Sequence, residues 1–248
     1  MQVVEGQQNQ AVEAKQGQIK ITVCLSLSGI AEGGEEVYKE FQKQISEMEA
    51  NATLGERKCE MGQVGCRGYC SRDVLVDVYV PGEERVTYEK VKPAMVKNIL
   101  NDHVIGGKPF KKAAAKPDYY ETVNKQSRVA LAHGGYIDHE NIDDYIQVGG
   151  YESLKKVLST MKPEEVIEEV KKSGLRGKGG GGFVTATKWD KARNAPTDEK
   201  GTRYIMVNGD EGNPASYMDR SVMEGASHQV LEGLLIGAYA IGATEGII

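Results

Sequence analysis

Ser173-Gly174-Leu175-Arg176-Gly177-Lys178-Gly179-Gly180-Gly181-Gly182-Phe183-Val184-Thr185-Ala186-Thr187-Lys188-Trp189 carries six glycines within residues 174–182. A backbone stripped of Cβ atoms can adopt φ > 0 and approach a ligand to contact distance. Arg176 and Lys178 lie inside the run, and Lys188 follows beside the only tryptophan. Successive N–H groups beside cations form a concavity for an anion, most often phosphate. A flexible linker is the competing interpretation. Linkers are usually padded with serine and flanked by disorder, whereas this run sits between a helical pattern and a Thr/Lys/Trp segment. The spacing from Gly177 to Gly182 satisfies G-x-G-x-x-G, but the dinucleotide fingerprint needs a strand directly before it. Pro163 to Lys172 reads as a helix, so an ordinary Rossmann fingerprint is excluded. The loop reads as an anion cradle in another topology.

Upstream of that helix, Pro163 occupies a favoured first helical position. Val166, Ile167 and Val170 form its apolar stripe, and Gly174 suits the position just past its end. A preceding helix follows Gly150, with Tyr151, Leu154 and Leu158 expected on one face. Downstream, Arg203–Val207 reads as a short strand leaving into the polar loop Asn208-Gly209-Asp210-Glu211-Gly212-Asn213-Pro214. A helix begins near Ser216, and another runs from His228 to Ile241. On the latter, Gly233 and Gly237 lie four apart and offer a flat place for a backbone or ring to approach. Gly242 ends that helix, and Glu245–Ile248 reads as the start of a further strand.

The first hundred residues have a different rhythm. Residues 1–18 are polar and Gln-rich, the composition of a disordered tail. Gln18–Cys24 alternates as a strand. Glu35–Ala50 is an amphipathic helix with Val37, Phe41, Ile45 and Met48 on one side. Asp73–Val80 and Arg85–Tyr88 read as strands joined by the turn Pro81–Glu84, and Pro93–Asp102 as a helix. This is a small α/β domain, 19–110. Lys111–Pro117 has linker composition, Gln126–Ala132 is a candidate short strand, and residues 118–248 form a second unit.

The chain has 248 residues, 40% hydrophobic and 27% charged, with a formal net charge of −5. That balance suits a soluble globular protein and gives no footprint for nucleic acid. No apolar run reaches the length of a membrane span and no signal peptide opens the chain. Four cysteines fit a reducing cytoplasm, with metal or redox use favoured over a disulfide framework. His228 at a helix start and His133 in a Gly-rich turn read as structural.

The Gly-rich segment with Lys188-Trp189, then Val207–Pro214, Met218-Asp219-Arg220-Ser221 and His228–Gly233, resembles the flavin-binding subunit of respiratory complex I. It equally resembles the matching subunit of NAD-linked hydrogenases and formate dehydrogenases. Cys66-Arg67-Gly68-Tyr69-Cys70, followed by a Val-rich strand, resembles the thioredoxin-like [2Fe–2S] domain fused to many bacterial members. The resemblance implies an α/β chain: a thioredoxin-like ferredoxin domain, then the first part of a Rossmann-like FMN-binding domain. It implies that NADH delivers a hydride to FMN and that single electrons pass on to iron–sulfur clusters. It places Gly177, Lys178, Gly179 and Gly180 on the FMN phosphate, with Lys188 near the flavin. Asn208, Asp210 and Glu211 line the same pocket, and Phe183 stacks on the dinucleotide substrate. Without the resemblance, Asp210 and Glu211 read as acids of a solvated turn. Implied partners are NADH, a 24 kDa-type [2Fe–2S] subunit and a catalytic iron–sulfur subunit. The [4Fe–4S] ligands are expected beyond Ile248, and weak or no FMN binding is expected of this chain alone.

Two departures from the family pattern stand out. Asn213 occupies a position that is usually an acid facing the incoming NADH. In the first domain, Cys24, Cys66 and Cys70 match three cluster ligands, but Gly29 stands where the second cysteine belongs. A [2Fe–2S] cluster takes four thiolates, so an empty or degenerate site is favoured over an intact one. Cys59 and the Ser28 hydroxyl are candidate substitutes if the loop reorganises. Structural zinc is the weakest option because paired C-x₂-C knuckles are missing, and free buried thiols are the bland one. A redox-inactive assembly component is the rival to the enzyme.

Overall fold

Ile19, Ile21 and Val23 alternate with Lys20, Thr22 and Cys24 along β1 (Gln18–Cys24), yet nearly the whole strand is buried. Both faces are covered, for different reasons. The computed structural model describes residues 18–197 and 199–248; apart from Gln18, the expected polar tail lies outside the described residues. After β1 come a short helix α1 (Leu27–Ala31), α2 (Gly34–Ala50), β2 (Lys58–Val64), β3 (Val76–Tyr79), β4 (Val86–Tyr88) and α3 (Pro93–Ile99). The sheet order is β2-β1-β3-β4, with β1 and β2 parallel and the other pairings antiparallel. On one face Ile19, Ile21, Val23, Val76 and Val78 meet Val37, Phe41, Ile45 and Met48 of α2 and Val96 and Ile99 of α3. Each large aliphatic or aromatic side chain buried there contributes about 1.5–3 kcal/mol. A π-helical stretch, Leu100–Ile105, extends α3 three residues past the expected end at Asp102.

The opposite face is polar and still dry. Asp77 on β3 is fully buried and accepts from Arg67 Nη2 at 2.6 Å and from Thr87 Oγ1 at 2.6 Å. Arg67 Nη1 also donates to Tyr119 Oη at 3.1 Å, and Lys20 pairs with Asp144 at 3.2 Å. Burial alone would raise the Asp77 carboxyl, but Arg67 and Arg85 hold it below the usual carboxylate range.

These contacts explain where the chain divides. One compact unit comprises residues through Asp144 together with Arg220–Ala226; the other comprises Tyr145–Asp219 and Ser227–Ile248. The division does not fall at 111–118. Instead of a free linker, the alanines lie along β4: Glu89 N–H donates to the Ala113 carbonyl and Ala115 N–H to that of Thr87, both at 2.8 Å. Ala113 is buried. Then α4 (Pro117–Asn124) brings Asp118 to Arg72 at 2.6 Å. Gln126–Ala132 is not a strand: Val129 is 83% exposed and no neighbouring strand pairs with the segment.

A short α5 (Ile142–Gln147) spans the division, and α6 (Glu152–Thr160), α7 (Pro163–Ser173) and α8 (Thr185–Asn194) follow. Next come β5 (Tyr204–Met206), α9 (Met218–Gly225), α10 (Ser227–Ile241) and β6 (Glu245–Ile247). β5 and β6 pair in parallel, with α10 between them in sequence. Val157, Val166, Ile167, Ala186 and Ala240 form the core of the second unit, with Trp189 packed on it. The stripe expected on α6 is corrected: Val157 is buried, whereas Leu158 is 58% exposed. The buried Glu232 of α10 caps α6, accepting from Tyr151 N–H and Leu154 N–H at 3.1 Å and from Tyr145 Oη at 2.6 Å. His228 is structural, its Nδ1 2.8 Å from Tyr151 Oη.

Candidate functional site

Pro163 starts α7 and Gly174, at φ 69°, ends it in the left-handed region, as the sequence predicts. The glycine run that follows is a closed loop. Gly177 N–H donates to the Phe183 carbonyl at 2.8 Å, Thr185 N–H to that of Leu175 at 3.0 Å, and Arg176 Nη1 to that of Gly182 at 3.0 Å. Gly180 and Gly182 have φ of 98° and 58°, which side chains rarely adopt. Gly179 has an ordinary φ, and a Cβ there meets nothing within 4 Å. Packing within the chain therefore gives no reason for a glycine at 179. A ligand lying against the backbone would.

Directly after the loop comes a helix that the sequence had not disclosed. α8 starts at Thr185, and its N-cap residue, Val184, has no capping side chain. A helix N-terminus without a side-chain cap, next to a bare loop bearing Arg176 and Lys178, suits a phosphate through N–H donors and the helix dipole. Lys188 is exposed on the second turn of α8. Phe183 is 52% exposed, with Lys191 Nζ 6.0 Å from its ring centroid. The residues present thus fit the phosphate end of FMN.

The polar loop leaves β5. Asn208 Oδ1 accepts from Asp210 N–H at 2.7 Å, and Asn213 Oδ1 from Ala215 N–H at 3.1 Å, so both asparagines brace turns. Asp210 is exposed. Glu211 Oε1 accepts from Met218 N–H at 2.7 Å and Asp219 N–H at 3.0 Å, capping the start of α9. The two loops hang from one contact. At Gly237 of α10 an added Cβ would lie 2.6 Å from Ile205 Cδ1 and 3.2 Å from the Trp189 ring. Strand β5, which launches the polar loop, and helix α8, which follows the glycine loop, both dock there. The expected close approach is realised at Gly237 and not at Gly233, where a Cβ meets nothing.

In the first unit, Cys66 is buried, Cys70 is exposed, and their Sγ atoms are 3.8 Å apart. Burial, then the neighbouring Cys66, pushes the Cys70 thiol up. Gly68 N–H donates to Cys66 Sγ at 3.3 Å. The loop is anchored by Arg67, which reaches Asp77 beneath the sheet. Segment Arg220–Ala226 packs flush on it: a Cβ at Gly65 would lie 1.9 Å from the Glu224 carbonyl oxygen, and one at Gly225 would lie 2.9 Å from that of Cys66.

Cys24 lies at the end of β1, its Sγ 3.3 Å from Ser26 Oγ, and burial pushes its thiol up to about 12. Gly29 is buried in α1, where a Cβ would lie 2.2 Å from the Cys24 carbonyl oxygen. Ser28 Oγ donates to the Cys70 carbonyl at 3.4 Å. Cys59 is corrected as a substitute ligand. It pairs with Ile19 at the start of β1, whereas Cys24 pairs with Val64 at its end. At about 3.3 Å rise per residue, Cys59 lies roughly 17 Å from Cys24. Among the described residues, no three His, Cys, Asp or Glu side chains are grouped to hold a metal ion. No helix among them is long and apolar enough to cross a membrane.

The model of the thioredoxin-like [2Fe-2S] ferredoxin family matches residues 9–103, and that of the Nuo51 FMN-binding domain matches residues 170–248. The chain is 53% identical over 127 residues to the HndC component of the NADP-reducing hydrogenase of Solidesulfovibrio fructosivorans, covering 51% of this chain and 25% of the relative. It is 46% identical over 108 residues to the F component of the NADH-quinone oxidoreductase of Aquifex aeolicus (strain VF5), covering 44% of this chain and 24% of the relative. A solved thioredoxin-like [2Fe-2S] ferredoxin from Aquifex aeolicus matches 40% of this chain and 97% of its own, at 23% identity and a TM-score of 0.34. The aligned part spans about a quarter of the length of these curated relatives.

Proposed function

We propose that this chain, a member of the thioredoxin-like [2Fe-2S] ferredoxin family in its first part and of the Nuo51 FMN-binding family in its last, is the flavin-side portion of a diaphorase-type oxidoreductase subunit. The observation that carries this reading is the glycine loop leading into the N-terminus of α8, where a Cβ at Gly179 would meet no protein atom within 4 Å. Gly177, Lys178, Gly179 and Gly180 hold the FMN phosphate, and Lys188 stands near the ring. Asn208, Asp210 and Glu211 line the remaining wall, and Phe183 with Asn213 meets the nicotinamide dinucleotide. When bound, FMN supplies the exchange between hydride transfer and single-electron transfer. The protein's own work is to seat the phosphate, brace the polar loop through Asn208 and Glu211, and present Phe183 to the dinucleotide.

The electron acceptors are iron–sulfur partners: a 24 kDa-type [2Fe–2S] subunit and a catalytic subunit. The setting is the reducing cytoplasm. We further infer that the first domain does not complete a [2Fe–2S] site of its own. The backbone at Gly29 is closed against Cys24, which supports three thiolates rather than four. The alternative, a redox-inactive assembly component, is favoured by that same feature and by Asn213.

The visible absorption spectrum of the purified native assembly separates the two. Flavin absorption that bleaches on adding NADH is expected. Full iron content with no flavin would overturn the enzyme reading in favour of the assembly component.

A further inference from the structure

Cys66 and Cys70 are left as a close pair of thiols with no role in the flavin reading. We propose that they form a reversible dithiol/disulfide couple that exchanges with low-molecular-weight disulfides. This rests on the reading that the first domain lacks a complete cluster site. Three observations point to it. The two sulfurs are 3.8 Å apart, so a movement of about 2 Å brings them to bonding distance. One is exposed and the other buried, which assigns an order to the chemistry. The other two thiols cannot compete: Cys24 is buried against Ser26, and Cys59 lies at the far end of the strand pair.

The exposed Cys70 sulfur attacks the incoming disulfide, forming a mixed disulfide and releasing one small thiol. Cys66 then attacks the Cys70 sulfur, forming the Cys66–Cys70 bond and releasing the second small thiol. Two protein thiols are oxidised, one small disulfide is reduced, and the two protons leave with the released thiols. The Cys66 sulfur is held in place by Gly68 N–H at 3.3 Å and Ser221 Oγ at 4.0 Å.

The full chain, reduced and then incubated with oxidised glutathione, provides the test. Arg67 lies between the two cysteines, so trypsin separates Cys59–Arg67 from Gly68–Arg72 unless a disulfide joins them. The wild type and Cys59→Ser are both expected to yield this joined pair, lost on adding reductant. Cys66→Ser is expected to carry a glutathione adduct on Cys70, and Cys70→Ser to carry none on Cys66. Wild-type chain in which Cys66 and Cys70 remain separately alkylated by iodoacetamide overturns the proposal, as does a joined pair that disappears in Cys59→Ser. Anaerobic reconstitution with iron and sulfide tests the underlying reading separately. Two irons per chain with Cys66 and Cys70 protected from alkylation would remove that reading, whatever glutathione does.

Discussion

Gly29 faces Cys24 so closely that a Cβ at position 29 would lie 2.2 Å from the Cys24 carbonyl oxygen. The atom in the way is backbone, and it belongs to the strand end that carries the first thiol. Gly29→Ala is therefore expected to destabilise the first domain by about 1–3 kcal/mol or more, the usual range for overpacking. Gly29→Cys should behave likewise, and should not by itself install a cluster. Denaturant unfolding followed by circular dichroism, with iron counting after reconstitution, checks both. A stable Gly29→Cys protein holding two irons would show that α1 moves aside readily.

The buried Arg67–Asp77 pair supports a second prediction. Asp77→Asn leaves the Arg67 charge without its counter-ion, a change that costs about 3–5 kcal/mol in comparable sites. The pair also sets an acid limit. The folded carboxyl is held below its ordinary value of 3.8. Its stabilisation is complete at neutral pH and is lost as pH falls below 3.8 through the depressed folded value. Asp77→Asn should lower stability at pH 7 and flatten the acid limb of the stability–pH curve. An unchanged acid limb would mean that other carboxylates set it.

Much of this fold is legible in the sequence, and the exceptions have common causes. β1, α2, α7 and the left-handed Gly174 follow from local periodicity and capping, which a sequence displays directly. β2 does not, because Lys58-Cys59-Glu60-Met61-Gly62-Gln63-Val64 neither alternates cleanly nor lacks glycine. It becomes a strand by pairing with β1, a contact made across the whole of α2. The covering of the polar sheet face was equally hidden. Lys20 and Asp77 look like solvent-facing positions until Asp144 and Arg67 meet them. In the candidate site, the glycine loop was legible from composition. The identity of Glu211 as the cap of α9 and the start of α8 at Thr185 depend on tertiary context and carried no local signal.

Gly233 and Gly237 provide a matched pair on one helix. A side chain at 237 strikes Ile205 and Trp189, whereas one at 233 meets open space. Gly237→Val should cost about 1–3 kcal/mol and red-shift the emission of Trp189, the only tryptophan. Gly233→Ala should stabilise by up to about 1 kcal/mol through helix propensity. Fluorescence-monitored unfolding reads both, because Trp189 reports on this unit alone. Equal effects at the two positions would contradict the docking of β5 and α8 at Gly237.

The central claim is that the glycine loop holds the flavin phosphate, and position 179 tests it most cleanly. A side chain there meets no protein atom within 4 Å and requires no left-handed backbone, so the fold should be indifferent to it. The measurement is the flavin content of the native assembly carrying Gly179→Val, with Trp189 emission as the check on folding. Unchanged emission is predicted, with loss of at least about nine-tenths of the flavin, which for a site that begins mostly occupied is a weakening on the order of a hundredfold, about 2.7 kcal/mol. Wild-type flavin content in the folded variant would contradict the claim.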